Sequence, residues 1–350
     1  MGIYPTTVKL TTKRVREVVG VLDDIIEDYK EQTPKKKRDW RTYEQQLAHR
    51  IKSAVRDLEP LITEATSSIE IVKGENRGRK RKLTLKQKVE LLLIKHLIEK
   101  SNREMSNMLA IFSLLSDIDV SYKYVERLYS DEEVHLALMN LHRLILKKKD
   151  VKDPDCTGDG TGYSLTISKH YASVAQKLKD KSNKGSGKTS KKRKDRKMRF
   201  TFSFRLMDLS IRMYIGVGTS LNSEKEAFIR AMSMAKDVGM NSIRLDRYYS
   251  VQKHVKFIED EFGRKVRIFI IPRKNATLRG SRKWKDTLED FTTDTMGYLS
   301  EYYRRNQSES AFSEDKRRCG WTIPQRRPDR VETHNICTSL WHNMLWRGIT

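Results

Sequence analysis

CTGDGTGYSL, residues 156–165, stands where the hydrophobic pattern of this 350-residue chain changes. Upstream of about residue 150 the apolar positions repeat with a helical period, and from here on short strand candidates alternate with helices. Strands are expected around Cys156–Leu165, at Arg199–Leu206 and at Ser210–Gly216, each bounded by turn or polar residues. A helix from about Ser223 to Val238 follows, with Phe228, Ile229, Met232 and Ala235 on one side. Then come a brief strand at Asn241–Asp246, a helix at Val251–Phe262 and a β-branched strand at Val266–Ile271. Three strands, helix, strand, helix, strand and further helices argue an α/β domain with a mixed, five-stranded sheet. A last helix, Val331–Arg347, carries Ile336, Leu340, Trp341, Leu345 and Trp346 as packing that closes the fold.

The part before this domain reads as all-α. Val15, Val18, Val19, Leu22, Ile25, Ile26 and Tyr29 form one amphipathic helix capped at Thr12. After a polar break at Pro34–Arg38, Tyr43, Leu47, Ile51, Ala54, Val55 and Leu58 form a second, expected to stop before Pro60. GENRGRKRK, Gly74–Lys82, is a basic linker, either an inert solvated loop or an arm lying on phosphates. Thr84–Glu99 is strongly apolar on one side, with His96 as a core histidine, and Ser101–Glu104 has capping-box form before Met105, Met108, Leu109 and Phe112. A third short helix begins near Ser121. These three fit a helix-turn-helix, with Tyr122, Lys123, Tyr124 and Arg127 as groove or phosphate contacts, or equally a small helical bundle. Ser130–Glu133 then caps a helix over Val134–Leu146, whose trailing Lys147–Lys149 suit its dipole. The expected division is 1–73 helical, 74–82 linker, 83–150 helical with the candidate helix-turn-helix, and 151–350 α/β.

The chain holds 71 Lys and Arg against 46 Asp and Glu, a formal charge of +25, and its pI is near 9.8. That balance points to a polyanionic partner, DNA or RNA, while 37% hydrophobic content suffices for a sizeable core. Cys156, Cys319 and Cys337 are too few and too scattered for a disulfide framework or a zinc site, so a reducing, cytosolic compartment is expected. The eight histidines show no H-E-x-x-H spacing, which argues against a zinc hydrolase. No signal-peptide pattern and no run of about 18 apolar residues appears, so neither secretion nor membrane spanning is expected. Lys177–Arg199 carries twelve Lys or Arg, Lys191, Lys192 and Arg193 among them, against two Asp. It reads as a basic loop that collapses onto nucleic acid, or as a solvated linker. Its GKTS, Gly187–Ser190, is no phosphate loop, because Ser182 stands where that pattern needs glycine.

YYRRNQSESAFSEDKRRCG, residues 302–320, spaces Tyr302, Arg305, Glu309 and Lys316 by two, three and six intervening residues. On one continuous helix these side chains would share roughly one face over about 21 Å. A carboxylate between two cations and a phenol suits a divalent metal beside a nucleic-acid phosphate. An ordinary Arg–Glu pair on a solvated helix, worth a few tenths of a kcal/mol, fits the same spacing. Asp159 on the first strand, Asp246 at the end of the fourth and Glu309 are placed to converge at one edge of the sheet. Two hard cations about 3.5–4 Å apart would need such carboxylates, with DNA supplying the remaining ligands. Gly158, Gly160 and Gly162 leave room for a phosphate-bearing ligand to approach the backbone. Glu301 and Glu314 read as surface charges, Asp155 as a turn residue starting the strand, and Asp208 as part of the next turn.

DGTG at Asp159–Gly162, LDRYYS at Leu245–Ser250 and the Y-(2)-R-(3)-E-(6)-K spacing together resemble the DDE transposases of bacterial and archaeal insertion sequences. The resemblance implies a ribonuclease-H-like catalytic domain in which Asp159, Asp246 and Glu309 are the catalytic, metal-holding triad. Tyr302, Arg305 and Lys316 would handle the DNA end. Arg247 stands where relatives often carry Lys or a small residue, which bears on DNA contact. Ile271–Tyr298 is too short for the large β-rich insertion of some relatives, and Trp284 within it reads as a core anchor or a base-stacking residue. The implied activity is cleavage at element ends and strand transfer into target DNA, with two Mg²⁺ ions for which Mn²⁺ substitutes. Implied partners are double-stranded DNA, both terminal repeats and target, and a second copy of the chain in the DNA complex, in the cytoplasm at the nucleoid. A nuclease that cuts without joining, and a catalytically degenerate basic DNA-binding protein, are the alternative readings.

Overall fold

At the centre of the sheet lies β1 (Asp155–Leu165), flanked by antiparallel and parallel partners on its two edges. The computed structural model describes residues 10–33, 39–69, 82–98, 104–115, 118–165, 200–325 and 327–348. Most of the basic linker, the basic loop with Lys191, Lys192 and Arg193, and Ser101–Arg103 of the capping box lie outside the described residues. β2 (Phe200–Asp208) and β3 (Tyr214–Ser220) form the antiparallel half, and β4 (Ser242–Leu245) and β5 (Arg267–Phe269) add parallel strands, giving the order β3-β2-β1-β4-β5. A sixth strand, β6 (Thr322–Ile323), pairs in parallel with Ser164 and Leu165 at the far end of β1. It exceeds the expected five because two residues are too few to show alternation.

The third strand starts at Tyr214, later than the expected Ser210. The Asp208 carboxylate accepts the Ser210 backbone N–H and hydroxyl, both at 2.7 Å, and Arg212 adopts φ +57°, so this stretch turns instead of extending. Helix α8 (Glu224–Ala235), capped by Ser223, covers β2 and β3. α9 (Gln252–Phe262), α10 (Arg282–Thr293) and α11 (Thr295–Tyr303) follow around β4 and β5. α12 (Asn306–Cys319) packs on β1, and α13 (Pro328–Arg347), buried along most of its length, packs on β3.

The N-terminal helices dock on α13. α3 (Trp40–Ser67), α4 (Leu85–Ile98) and α7 (Glu132–Lys148) meet it directly, and Trp341 donates its Nε1–H to the Leu93 carbonyl at 2.9 Å. His96, buried as a core histidine, lies 2.9 Å from Thr338 Oγ1. α5 (Glu104–Leu115) and α6 (Tyr122–Leu128) complete the group. One hydrophobic core runs from Val15 to Leu345 through both parts of the chain.

Two helices differ from the sequence reading. The first amphipathic segment is two helices, α1 (Thr12–Gly20) and α2 (Leu22–Gln32), broken at the exposed Val21. Each half meets a different neighbour: α1 packs on α10, and Tyr29 of α2 stacks on Tyr303 at 5.0 Å. α3 runs through Pro60. The proline frees the carbonyl of Arg56, an exposed residue, while Leu58, Leu61, Ile62 and Ala65 continue the buried stripe.

α12 is held by a buried charge. Asp315 bonds Arg205 of β2, accepts the Tyr214 hydroxyl at 2.8 Å, and lies 2.8 Å from His342 Nδ1 of α13. Burial pushes the Asp315 carboxyl up, but His342 and Arg205 outweigh it and hold it below the ordinary aspartate value. Its contribution is therefore present above the unfolded-state pKa and lost as pH falls through the lower folded value. Asp315→Ala strands Arg205 in the core, and we expect it to cost about 3–5 kcal/mol in urea unfolding at pH 7. A loss below about 1 kcal/mol would contradict this role.

Candidate active site

β4 pairs with β1 only as far as Gly158, and β6 takes up the same edge at Ser164. Between them, residues 159–163 have no strand partner on that edge among the described residues. The result is a crevice outside the carboxyl end of β4, where the strand order reverses, a position that favours ligands in open α/β sheets. Asp159 lies in this stretch. Asp246 directly follows β4 and caps the 3-10 turn Arg247–Tyr249, accepting the Tyr248 N–H at 3.4 Å.

Tyr302, Arg305, Glu309 and Lys316 do not share one continuous helix, as their spacing suggested. α11 ends at Tyr303, and Arg305 is the residue before α12. The bend is held at the Arg305 carbonyl, which accepts the Ser308 hydroxyl at 2.7 Å and the Thr157 hydroxyl at 3.5 Å. Tyr302 lies in the core, 3% exposed, with its ring 5.4 Å from the Arg305 guanidinium.

That guanidinium gathers all three carboxylates. Arg305 Nη1 is 3.0 Å from Glu309 Oε1 and 3.9 Å from Asp159 Oδ2, and Nη2 is 3.7 Å from Asp246 Oδ1. The acids meet on the arginine and not on each other, and no group of three His, Cys, Asp or Glu among the described residues forms a ready metal cage. The donor chemistry nevertheless fits a hard divalent cation: three carboxylates face one positive charge at an open edge. Burial raises the Asp159 pKa to about 6, with the Gly160 N–H and Arg305 opposing and Asp246 and Glu309 adding to the rise.

The room at the glycines belongs to the protein itself. A Cβ on Gly158 would meet the Phe204 ring, and one on Gly160 would meet the Glu224 carboxylate, which accepts the Tyr249 hydroxyl. These glycines serve packing in this structure, where the sequence suggested ligand approach.

Lys316, two helical turns beyond Glu309, lies over Tyr163 at 5.0 Å and over Trp321 at 5.4 Å. Burial lowers its pKa. Arg247 is half-buried in the turn after Asp246. Trp284 is a core anchor, 3% exposed, with Nε1–H donated to the Thr277 carbonyl at 2.8 Å. Glu301 and Glu314 are not free surface charges: Glu301 bonds the buried Arg244, and Glu314 pairs with Arg318 at 3.0 Å. The Asp315 anchor escaped the sequence reading, although its spacing from Ala311 and Phe312 places it on the apolar face of α12.

A carboxyl whose folded pKa exceeds its unfolded value loses stability as pH rises between the two, and the cost is complete above the folded value. For Asp159 that window runs from about 4 to about 6. Without divalent ions, Asp159→Asn is expected to be more stable than the parent at pH 7.5 by roughly 2–3 kcal/mol. The gain should shrink toward zero near pH 4 in denaturant unfolding. Equal stability at pH 7.5 would count against this charge arrangement.

No protein-family model and no solved structure matches this chain. Among the described residues, no helix is long and apolar enough to cross a membrane. The chain is 40% identical over 338 residues to a probable transposase for insertion sequence element ISA1214 of Archaeoglobus fulgidus, covering 96% of each protein. Identity at that level over nearly the whole of both chains places the crevice and its carboxylates in a DNA-processing enzyme, and the chain belongs to the insertion-sequence transposases.

Proposed function

We propose that this chain cuts DNA at the ends of its element and joins those ends to target DNA, with Asp159, Asp246 and Glu309 as the catalytic carboxylates. The observation that carries the reading is the single Arg305 guanidinium shared by all three acids at the open edge of β1. The order β3-β2-β1-β4-β5, antiparallel on one side and parallel on the other, supports a ribonuclease-H-like, DDE-type domain.

Asp159, Asp246 and Glu309 would hold Mg²⁺ or Mn²⁺, two ions in the full site. When bound, the metal supplies Lewis-acid chemistry, activating water or a 3'-hydroxyl and stabilising the leaving oxygen. Asp159 is half ionised near pH 6 and becomes a charged ligand as pH rises beyond that. Arg305 balances the carboxylates and, with Lys316, neutralises phosphate charge; Tyr302 sets the position of Arg305 from below. Arg247 adds a cation beside Asp246.

We further assign recognition of the terminal repeats to the N-terminal helices, with α4, α5 and α6 as a helix-turn-helix. Lys123 and Arg127 are exposed on α6, whereas Tyr122 and Tyr124 pack partly against the core. Bringing two element ends together requires at least a homodimer on double-stranded DNA. Its place of work would then be the nucleoid.

The test is a joining reaction with Mg²⁺ or Mn²⁺, element-end DNA and a target plasmid. The parent should yield joined products, and Glu309→Gln should reduce them by at least about 100-fold, the upper range for losing even a group that only supports a metal. Metal-dependent cleavage without joining would establish the nuclease instead. DNA binding with no cleavage would establish a degenerate DNA-binding protein.

A further inference from the structure

β4 and β5 run parallel, so the segments leaving their carboxyl ends emerge on the same edge of the sheet as Asp246. Both segments carry cations without acids. Residues 247–258 include three Lys or Arg and residues 273–285 include six, and neither stretch holds an Asp or Glu. The second segment is braced in place. Arg273 donates an Nη2–H to the Tyr248 carbonyl at 2.8 Å, tying it to the turn after Asp246. Behind it, α1 supplies Arg16, whose Nε–H reaches the Ala276 carbonyl at 3.3 Å, and Thr12, whose hydroxyl oxygen accepts the Leu278 N–H at 3.4 Å. Between the segments lies a cleft of about 330 Å³, whose walls include Lys253, Arg273, Asn275 and Thr277 and no carboxylate.

Lys253, Arg273, Lys274 and Arg279 are exposed. Arg273 is engaged with Tyr248, while Lys253, Lys274 and Arg279 make no ion pair among the described residues. On the flanking helices, Asp286 lies 2.9 Å from Arg282 and Asp260 bonds Lys256, so both acids are already paired. The positive field reaches the protein's own groups. Burial lowers the His254 pKa, and Lys225 and Arg273 add to the fall against its hydrogen bond with the Tyr249 carbonyl. Uncompensated cations gathered beside one cleft repel one another, and a polyanion laid across them turns that cost into attraction.

We infer that this cleft and its cations hold the backbone of the target duplex, with phosphates on Lys253, Lys274 and Arg279, and this rests on the reading of Asp159, Asp246 and Glu309 as the reacting carboxylates. In an in-line displacement the attacking and leaving oxygens stand on opposite sides of the phosphorus. The element's 3'-hydroxyl and the target strand therefore approach the carboxylates from different flanks. Lys316 and α12 form one flank, and the segments after β4 and β5 form the other. Cations that meet phosphates alone read no sequence, which suits target DNA, whose sequence the element does not fix.

The test compares the full chain with its Lys253→Gln/Lys274→Gln/Arg279→Gln variant. Binding of a fluorescent duplex of random sequence is read by anisotropy in EDTA across a salt series. The variant should lower the slope of log K against log salt by about 2.7, the share of three phosphate contacts on a duplex. With Mg²⁺ and element ends already cut, the target concentration for half-maximal joining should rise roughly tenfold or more. Cleavage of uncut element ends should stay at the parent's rate. The charge-preserving Lys253→Arg/Lys274→Arg/Arg279→Lys variant should restore the slope and the joining, which separates charge from any effect on folding. An unchanged salt slope would overturn the inference. End cleavage that falls in step with joining would also overturn it, by assigning the surface to the element ends. If the parent joins no DNA, the proposed reaction fails, while the salt slope with the random duplex still decides whether DNA lies on this surface.

Discussion

An aspartate buried against an arginine tolerates few geometries, and the contact between Asp315 and Arg205 fixes where α12 can lie. Arg205 comes from β2 beside the central strand, and Tyr214 and His342 satisfy the rest of the carboxylate from β3 and α13. With Asp315 pinned, the rotation of the helix is set. Glu309, six residues earlier, is turned about 240° away and faces the crevice, while Lys316 follows immediately onto Tyr163 and Trp321. Glu309 is thus positioned by a charge it never touches.

The crevice has the opposite electrostatic character. Three carboxylates crowd one partly buried place, and burial, with a smaller addition from Asp246 and Glu309, raises the Asp159 pKa to about 6 against the pull of Arg305. Such a site favours any added positive charge, and a divalent cation with hard oxygen preference is the simplest. Next to it, a cavity between α3 and α12 is lined by four arginines and four carboxylates, Glu309 among them.

The order of elements after about residue 150 was readable because the hydrophobic period changes there, and Asp159, Asp246 and Glu309 stood out by position and spacing. Their meeting on Arg305 was not readable in detail. The bend at Arg304–Arg305 depends on Thr157 and Ser308 capping a carbonyl, a tertiary contact with no local signature. The run of α3 through Pro60 likewise depends on apolar residues beyond the proline and on an exposed position at Arg56, whose carbonyl loses its helical partner. β6 is too short to alternate, and one cavity wall joins Arg50 to Arg318 and Trp346 from distant parts of the chain. Strongly periodic segments and fixed spacings survive translation into structure; breaks and long-range pairings are decided by packing.

The most direct measurement is a crystal structure of the protein soaked in Mn²⁺, with anomalous diffraction locating the ion. The account predicts a peak bounded by Asp159, Asp246 and Glu309, with the Arg305 guanidinium withdrawn from its place among them. Mn²⁺ bound only elsewhere, with Arg305 still holding all three carboxylates, would contradict it.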